Sequence, residues 1–320
     1  MTLPSSGPIK ISEYNTELEL SSSTVNQDLN SSLVRYLLQD TTDRAPISMS
    51  YGYGKSYVFS FNLSSGNNLD LRSQALAAGW NGTRPVAAYL PSGSIIGSTS
   101  ASSYALTIQG SFPNGLTLVN NGYIVGAGGN GGSTPYGPYG YSQNGTSGGP
   151  ALHVLTAVSI TNNGTIGGGG GGGSAAVVGD HQYWGLANGE GGGGAGSSNG
   201  TGGISYYGAN NGDIRWFQGS GYYVVGGINA ANGILTSGGL GSTGGVNGAQ
   251  ATIGFLNGQG STTGYQYCYG GNGGGLGSAG AIGYSSTGDG VGSPGSGGAA
   301  VVGNSYVTWI TTGTILGSQS

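Results

Sequence analysis

Hydrophobic and polar residues alternate with a period of two in several segments of the first third of the chain. Residues 57–63, 104–108 and 116–119 show this alternation, which is typical of β-strands with one buried face. Clusters of Gly, Pro, Asn and Ser lie between these segments, as at residues 65–68 and 113–115, and such clusters favour turns. We therefore predict a small β-sandwich-like domain over residues 57–125.

Residues 1–56 have a different pattern. Ser, Thr or Asn residues precede stretches with Leu and Val, which predicts short helices over residues 12–18 and 31–38. The first residues lack the basic segment followed by an apolar one that a secretory signal needs. No apolar run reaches the length of about 18 residues expected of a membrane-spanning helix. We therefore treat residues 1–56 as a separate N-terminal segment of a chain without secretory or membrane signals.

Beyond residue 120 the pattern is set by glycine. Residues 121–320 hold 64 of the 74 glycines and only five charged side chains. The glycines form runs, the longest at residues 167–173, and short apolar or tyrosine-rich segments separate the runs. Glycine loses more conformational freedom on folding than other residues, so an ordered chain of this composition must gain the close backbone approach that only glycine permits.

Order is favoured over disorder because disordered segments are poor in aromatic and β-branched residues and rich in charge. This half contains many tyrosines, three tryptophans and apolar stretches such as residues 158–161 and 175–178. A collagen triple helix is excluded because there is no Gly-X-Y register.

The glycine runs are compatible with three arrangements. Polyglycine can form a left-handed helix with three residues per turn that keeps its N–H groups, so that neighbouring helices hydrogen-bond laterally. Parallel β-solenoid turns and a glycine-rich sandwich are the alternatives, and the lack of a fixed period of 20–30 residues argues against a solenoid. We predict a mainly β and irregular protein whose glycine-rich domain, residues 126–320, is built from packed polyglycine II helices with short strands.

Two imperfect repeats support an ordered architecture. Residues 118–126 resemble residues 160–167, and each copy reads as a strand, an Asn-Asn-Gly bend, a short apolar return and a glycine run. Residues 175–180 recur as residues 299–304, which suggests that the chain closes with a strand related to an earlier one.

Two groups of motifs carry a family resemblance. The first lies in residues 3–9, 34–35, 47–50 and 53–56; the second comprises residues 119–129 and residues 163–166 with the seven glycines that follow. The first resembles the start shared by many bacteriophage tail-associated structural proteins, and the second is similar to the glycine-rich parts of phage tail adhesins. The resemblance covers nearly the whole chain. It implies a rigid core of polyglycine helices whose intervening loops touch the host receptor.

The resemblance also implies a set of partners. Residues 1–56 would attach the protein to other virion tail or fibre proteins, and residues 126–320 would recognise a host outer-membrane protein or a surface glycan. We expect a homo-oligomer, and trimers are common in phage fibres, although no coiled-coil heptad is visible. The expected location is the virion tail, after synthesis in the host bacterial cytoplasm. The lone Cys268 agrees with a fold that uses no internal disulfide.

The sequence offers little catalytic chemistry. His153, His181 and Cys268 are the only His and Cys residues, and no cluster has metal-ligand spacing. We therefore predict no catalytic residues, no metal site and no cofactor. Seven basic residues and a net charge of −4 disfavour nucleic-acid binding. A polysaccharide depolymerase, with two of the scattered carboxylates as its catalytic pair, remains an alternative.

Aromatic residues between the glycine runs are the candidate receptor-binding residues, because Tyr and Trp dominate binding hot spots and offer contact area at low entropic cost. We expect them on loops at an end of the glycine bundle, with the two clusters 136–141 and 265–269 as the best candidates. The full set is Tyr136, Tyr139, Tyr141, Tyr183, Trp184, Tyr206, Tyr207, Trp216, Tyr265, Tyr267 and Tyr269.

Trp80 and Trp309 are instead assigned to packing. The sequence thus favours a non-enzymatic virion tail protein that binds a host bacterial surface receptor. The alternative is a purely structural virion component, at the tail tip, the baseplate or the capsid surface, that contacts only other virion proteins.

Overall fold

The fold is given by a computed structural model, which describes part of the chain. The described residues are 3, 6, 11–18, 32–38, 57–133, 142–178, 187–189, 191–198, 200–201, 214–216, 223–225, 250–256, 262–285 and 290–320. Three α-helices are present among them, α1 (Ile11–Glu17), α2 (Ser32–Leu38) and α3 (Leu71–Ala77), together with a 3-10 helix at Asn304–Tyr306.

The strands are numbered along the chain. Those of the first half are β1 (Phe59–Asn62), β2 (Gly66–Asn67), β3 (Leu69–Asp70), β4 (Val86–Leu90), β5 (Ile95–Gly97), β6 (Leu106–Ile108), β7 (Leu116–Asn120), β8 (Tyr123–Val125), β9 (Leu152–Val154), β10 (Val158–Asn162) and β11 (Thr165–Gly167). Those of the second half are β12 (Ala176–Val178), β13 (Ala187–Gly189), β14 (Ile214–Trp216), β15 (Tyr223–Val225), β16 (Gln250–Leu256), β17 (Thr262–Tyr269), β18 (Tyr284–Ser285), β19 (Val301–Val302), β20 (Val307–Thr311) and β21 (Thr314–Leu316). The expectation of a mainly β protein is confirmed.

Three parallel sheets form a β-solenoid. Their strand orders are β1-β4-β7-β10-β20, β2-β5-β8-β11-β21 and β3-β6-β9-β19. All neighbouring strands in these sheets are parallel. Consecutive strands therefore contribute to the first, second and third sheet in turn, and each turn of the chain stacks on the one before it.

The predicted β-sandwich over residues 57–125 is wrong in its topology. Alternation shows only that one face of a strand is buried, and that condition holds in a sandwich and in a solenoid alike. The solenoid period was hidden because the first-sheet strands begin at residues 59, 86, 116, 158 and 307. The first two intervals between these starting residues each correspond to one solenoid turn. The two later intervals are longer because they also contain the glycine-rich insertions.

The solenoid encloses the main hydrophobic core. Strands β7 and β10 each alternate buried and half-buried residues, and register pairing stacks Leu118 under Ile160. Trp80 joins the same core, stacks on the Phe112 ring with centroids 5.1 Å apart, and donates its indole N–H to the Arg84 carbonyl. Trp309 packs against the core from the last turn. The assignment of both tryptophans to packing is confirmed.

Buried asparagines link successive turns at the end of the first sheet. The Asn120 side-chain amide donates to the Asn162 Oδ1 at 2.7 Å, and the Asn162 amide donates to the Thr312 carbonyl at 2.6 Å. Both side chains are fully buried. This ladder fixes the register of three consecutive turns, since a slip would leave buried amides unpaired. The repeat between residues 118–126 and 160–167 therefore reflects two stacked turns.

The N-terminal helices form a small core of their own. Helices α1 and α2 confirm the two short helices predicted from the sequence. Tyr14, Val34 and Leu37 are fully buried in this core, against which Tyr57 packs. The Tyr57 N–H also donates to the Glu17 carboxylate at 2.9 Å, which joins the N-terminal segment to the chain entering the first solenoid turn.

The second repeat has a different outcome. Strand β12, from the first copy, pairs antiparallel with β13, whereas β19, from the second copy, pairs parallel with β9 of the solenoid. The chain thus closes by returning to the solenoid, and β19–β21 complete its three sheets. The glycine-rich segments are insertions within the third and fourth turns, between β8 and β9 and between β11 and β19.

Candidate functional site

The glycine-rich insertions form a bundle of extended runs. This glycine bundle comprises residues 126–133, 142–149, 168–175, 191–195, 270–283 and 292–298. These residues lie outside helices and strands, and residues 276 and 277 form a turn. Hydrogen bonds between runs repeat every third residue: the N–H groups of Gly126, Gly129 and Gly132 donate to the carbonyls of Gly167, Gly170 and Gly173. These two runs are therefore parallel.

The central run, residues 168–173, is surrounded on all sides. Every N–H and every carbonyl in it is hydrogen-bonded to another part of the backbone. The partners lie in residues 126–132, 143–149, 192–195, 271–277, 278–281 and 292–298, with Leu316 at the solenoid end. Because each run has a threefold repeat, its polar groups point to neighbours in several directions, and no backbone group of the central run is left unpaired.

Close approach around the central run leaves no room for side chains. A Cβ atom on Gly170 or Gly171 would lie under 3.0 Å from the carbonyl oxygens of Gly274 and Gly295 respectively. Comparable clashes with backbone atoms would occur at Gly168, Gly169, Gly172 and Gly173. Gly167, the first residue of the longest run, lies at the end of strand β11 instead.

One end of the bundle is attached to the solenoid. The Ser197 hydroxyl accepts a hydrogen bond from the Ser98 N–H at 2.8 Å and donates to the carbonyl oxygens of Ser98 and Val125, each 3.0 Å away. Leu276 packs with the fully buried Val125 and Ala195. The turns near residues 197 and 276 therefore sit against the solenoid, and the runs extend from this attached end.

The opposite end, called the far end below, holds the antiparallel strands. The central run leaves β11 of the solenoid and reaches β12 after eight residues. Residues 126–133 run parallel to it, and residues 143–149 antiparallel to it. Strands β12 and β13 form one pair, and β16, β17 and β18 form a three-stranded sheet. Because β12 begins where the central run ends, the strands that pair with β12 or pack near it lie at the far end.

The described structure covers only part of the predicted binding set. Tyr136, Tyr139, Tyr141, Tyr183, Trp184, Tyr206 and Tyr207 lie outside the described residues. Trp216 lies in β14 opposite Tyr223 of β15. Tyr265, Tyr267 and Tyr269 alternate along β17, which pairs antiparallel with β16. For these four residues the expectation of loops is wrong in conformation, because paired strands position them.

A tyrosine pair marks the edge of this sheet. Tyr269 of β17 and Tyr284 of β18 are register partners, and their rings stack with centroids 5.2 Å apart and planes at 18°. Tyr284 is 41% exposed and the nearby Ile282 is 64% exposed. Sequence reasoning missed both residues, because each occurs singly beside a glycine rather than in an aromatic cluster. Their exposure at the rim of the glycine bundle makes them additional candidates for contact.

Within the described residues the structure offers no metal site, since no group of three His, Cys, Asp or Glu side chains comes together. In the same part of the chain no helix is both long and apolar enough to cross a bilayer. His153 has a local role: its ring stacks on Tyr104, with centroids 4.1 Å apart. The arrangement at the far end suits non-covalent contact through aromatic side chains.

Comparison with known proteins gives the family. The family model for the phage tail fibre adhesin Gp38 matches residues 58–320. No curated protein matches the chain. Among solved structures, the chain is similar to one in the crystal structure of the gp37-gp38 adhesin tip complex of the bacteriophage S16 long tail fibre. That likeness has 23% sequence identity and a TM-score of 0.45, and covers 99% of this chain and 100% of the other.

The matched family is one of phage tail fibre adhesins and not an enzyme family, and the match spans both the solenoid and the glycine bundle. This removes the alternative of a purely structural virion component. The chain belongs to the Gp38 family of phage tail fibre adhesins, and it is a virion tail protein that binds a host bacterial surface receptor.

Proposed function

We propose that the adhesin contacts its receptor through the far end of the glycine bundle, and that the bundle is a rigid support for this contact. The supporting observation is connectivity. The turns at the attached end are made by serine, glycine and leucine against the solenoid. The long connections 134–141, 176–190 and 202–269 join the runs elsewhere, and they contain the whole predicted aromatic set.

We infer further that the glycine runs are polyglycine II helices. The repeat of hydrogen bonds at every third residue supports this, because a helix with three residues per turn returns to the same direction at that interval. The absence of room for a Cβ in the central run also supports it. Such a lattice is rigid because each interior glycine is held by two backbone hydrogen bonds to different neighbours.

The proposed contact surface carries few charges. Residues 121–320 carry five charged side chains, so long-range electrostatic attraction contributes little to binding. Tyr and Trp side chains among Ser, Asn and Gly give large contact areas with adaptable hydrogen bonds, a mixture also found in antibody loops. The receptor is a host outer-membrane protein or a surface glycan, and binding is non-enzymatic.

Residues 1–56 are proposed to attach the adhesin to another tail fibre protein. Two features support a separate role: this segment has its own small core, and the family match begins only at residue 58. The homo-oligomeric state expected from the sequence stays a prediction, which the mass of the purified chain in solution would test.

Paired tyrosine substitutions test the recognition proposal. Tyr139→Ala with Tyr141→Ala, and Tyr267→Ala with Tyr269→Ala, should each weaken adsorption to host cells by about 2 kcal/mol or more, the loss expected for a binding hot spot. Adsorption should depend weakly on salt. The matched control is Tyr89→Ala with Tyr306→Ala, since these tyrosines are exposed on the solenoid at 38% and 48%. The control should adsorb normally.

Normal adsorption by both far-end variants, with normal melting and incorporation into particles, would place recognition elsewhere on the chain. Treating host cells with protease or with periodate before adsorption distinguishes a protein receptor from a glycan. Release of reducing ends from purified surface polysaccharide would contradict the non-enzymatic proposal and support the depolymerase alternative.

A further inference from the structure

Asn-Gly pairs recur throughout this chain and are chemically fragile. In such a pair the glycine amide nitrogen can attack the asparagine side-chain carbonyl, because glycine has no Cβ to hinder the approach. The attack requires a free glycine N–H and a side-chain amide that can rotate toward it. The Asn-Gly pairs whose side chains the structure describes begin at Asn81, Asn114, Asn121, Asn130, Asn144, Asn163 and Asn272.

Most pairs in the glycine bundle are held by two hydrogen bonds. The Gly131 N–H donates to the Thr201 carbonyl at 2.8 Å, while the Asn130 side chain accepts from the Thr201 N–H at 3.0 Å. The pair beginning at Asn144 repeats this arrangement with Ser293, at 2.9 Å and 2.7 Å. In both pairs the attacking nitrogen and the side chain under attack are fixed apart.

The solenoid holds its pairs as well. The Gly122 N–H donates to the Asn120 Oδ1, and the Gly164 N–H donates to the Asn120 carbonyl. The Gly115 N–H donates to the Phe112 carbonyl at 3.0 Å. In the remaining pair, the Asn81 side chain accepts hydrogen bonds from the N–H groups of Thr83 and Arg84.

Asn272 is different. Its side chain is exposed, and among the described residues neither that side chain nor the Gly273 N–H has a hydrogen-bond partner. Both requirements for attack are therefore met at this one described pair. We propose that Asn272 is a site of spontaneous deamidation, a chemical ageing site built into the glycine bundle.

The reaction needs only water. A bond forms between the Gly273 nitrogen and the Asn272 side-chain carbonyl carbon, the bond from that carbon to the side-chain nitrogen breaks, and ammonia leaves with the Gly273 amide proton. Water then opens the five-membered imide at either carbonyl, which gives aspartate or isoaspartate at position 272. No oxidation or reduction takes place.

Deamidation here disturbs the lattice. The neighbouring Gly271 and Gly274 N–H groups donate to the carbonyls of Ser174 and Gly171, each at 2.8 Å. Isoaspartate adds one carbon to the main chain between these two anchors, so both bonds cannot keep their geometry. The new carboxylate also places a charge in a run that has none. Ageing at position 272 therefore loosens the run that follows β17.

Peptide mapping by mass spectrometry tests the proposal on the purified full-length chain. During incubation at pH 8 and 37 °C, the gain of about 1 Da should appear at Asn272 at least about tenfold faster than at Asn130 or Asn144, which must first break two hydrogen bonds. In urea-unfolded protein the three rates should converge. Equal rates in the folded protein would overturn the proposal.

The Asn272→Gln variant tests the consequence. Glutamine keeps the amide but cyclises far more slowly, so the aged variant should keep its original melting temperature while the aged parent protein melts lower. Equal melting of the two aged proteins would show that deamidation at position 272 leaves the lattice intact. These measurements do not involve host cells, so their failure is distinguishable from failure of the recognition proposal.

Discussion

The solenoid and the central run of the glycine bundle both pair their backbone groups, but they pack in opposite ways. In the solenoid, strands stack in parallel sheets around apolar side chains such as the fully buried Leu118 and Ile160. In the bundle, the central run has no side chains, and backbone approaches backbone directly. The solenoid excludes water by filling its interior with apolar side chains. The bundle excludes water because its backbones are too close together to leave a space.

This difference predicts opposite tolerance to substitution. A hydrophobic core accepts changes of similar volume at small cost. The interior of the glycine bundle accepts no added atom, because a Cβ would meet carbonyl oxygens that are already hydrogen-bonded.

The largest expected effect is at the centre of the bundle. Gly170→Val would place its Cβ under 3.0 Å from the carbonyl oxygens of Gly274 and Gly275. Overpacking together with the hydrogen bonds lost should lower the free energy of unfolding by more than about 4 kcal/mol. Calorimetry against Ser296→Val, at an exposed position of the same bundle, measures the difference. If both variants melted alike, the interior would not be close-packed.

A cavity in the solenoid should have the next largest effect. Leu118→Ala removes a fully buried side chain and should cost about 3 kcal/mol in the free energy of unfolding. Leu118→Met, which roughly conserves volume, should cost less than about 1.5 kcal/mol. Denaturant unfolding measures both values. Equal losses for the two variants would contradict the distinction between a volume-tolerant core and an intolerant lattice.

The asparagine ladder gives a smaller effect. Asn162→Ala leaves buried partners in two neighbouring turns without their hydrogen bonds, and should lower stability by about 2 kcal/mol. The control is Asn163→Ala, whose side-chain hydrogen bond to Asn121 is exposed and should matter by less than about 0.5 kcal/mol. If the ladder contributed nothing to stability, the two variants would have similar melting temperatures.

The smallest effect concerns a helix cap on the solenoid. Burial alone would raise the pKa of Asp70, but hydrogen bonds from Ser73 and Gln109 and the charge of Arg72 hold it below its usual value. The stabilisation is therefore present at neutral pH and is lost as pH falls through the lowered pKa.

Asp70→Ala should accordingly cost about 1 kcal/mol at pH 7, as loss of an N-cap does, and less at pH 3. Asp70→Asn keeps an acceptor for the Ser73 N–H and should lose little at either pH. Thermal melts at both pH values check this. A cost of Asp70→Ala that is the same at pH 3 and pH 7 would show that the carboxylate charge plays no part.

The sequence predicted the local structure of each region better than its topology. The two N-terminal helices and the alternating strands were readable, because each depends on neighbours within a few residues. The packing roles of Trp80 and Trp309 were also predicted correctly. The solenoid was not readable, since its period is interrupted after β8 and again after β11 by the glycine-rich insertions. The Asn-Asn-Gly repeat was the one sequence feature that came from two stacked solenoid turns.

The candidate site was predictable in composition and only in part in structure. Alternation of Tyr265, Tyr267 and Tyr269 in sequence already matched a strand, and the structure places them in β17. Tyr284 was missed because its role depends on pairing with Tyr269 across the sheet, which no local pattern encodes. The roles of the remaining aromatic residues in recognition stay predictions.

Backbone hydrogen exchange, followed by mass spectrometry on the purified chain, tests most directly that the glycine bundle is a rigid lattice. Buried and fully hydrogen-bonded amides exchange only on large-scale opening. The amides of residues 168–173 should therefore be protected as strongly as those of β7 and β10 in the solenoid. Exchange of these glycine amides at the rate of an unstructured glycine peptide, with the solenoid still protected, would contradict this account.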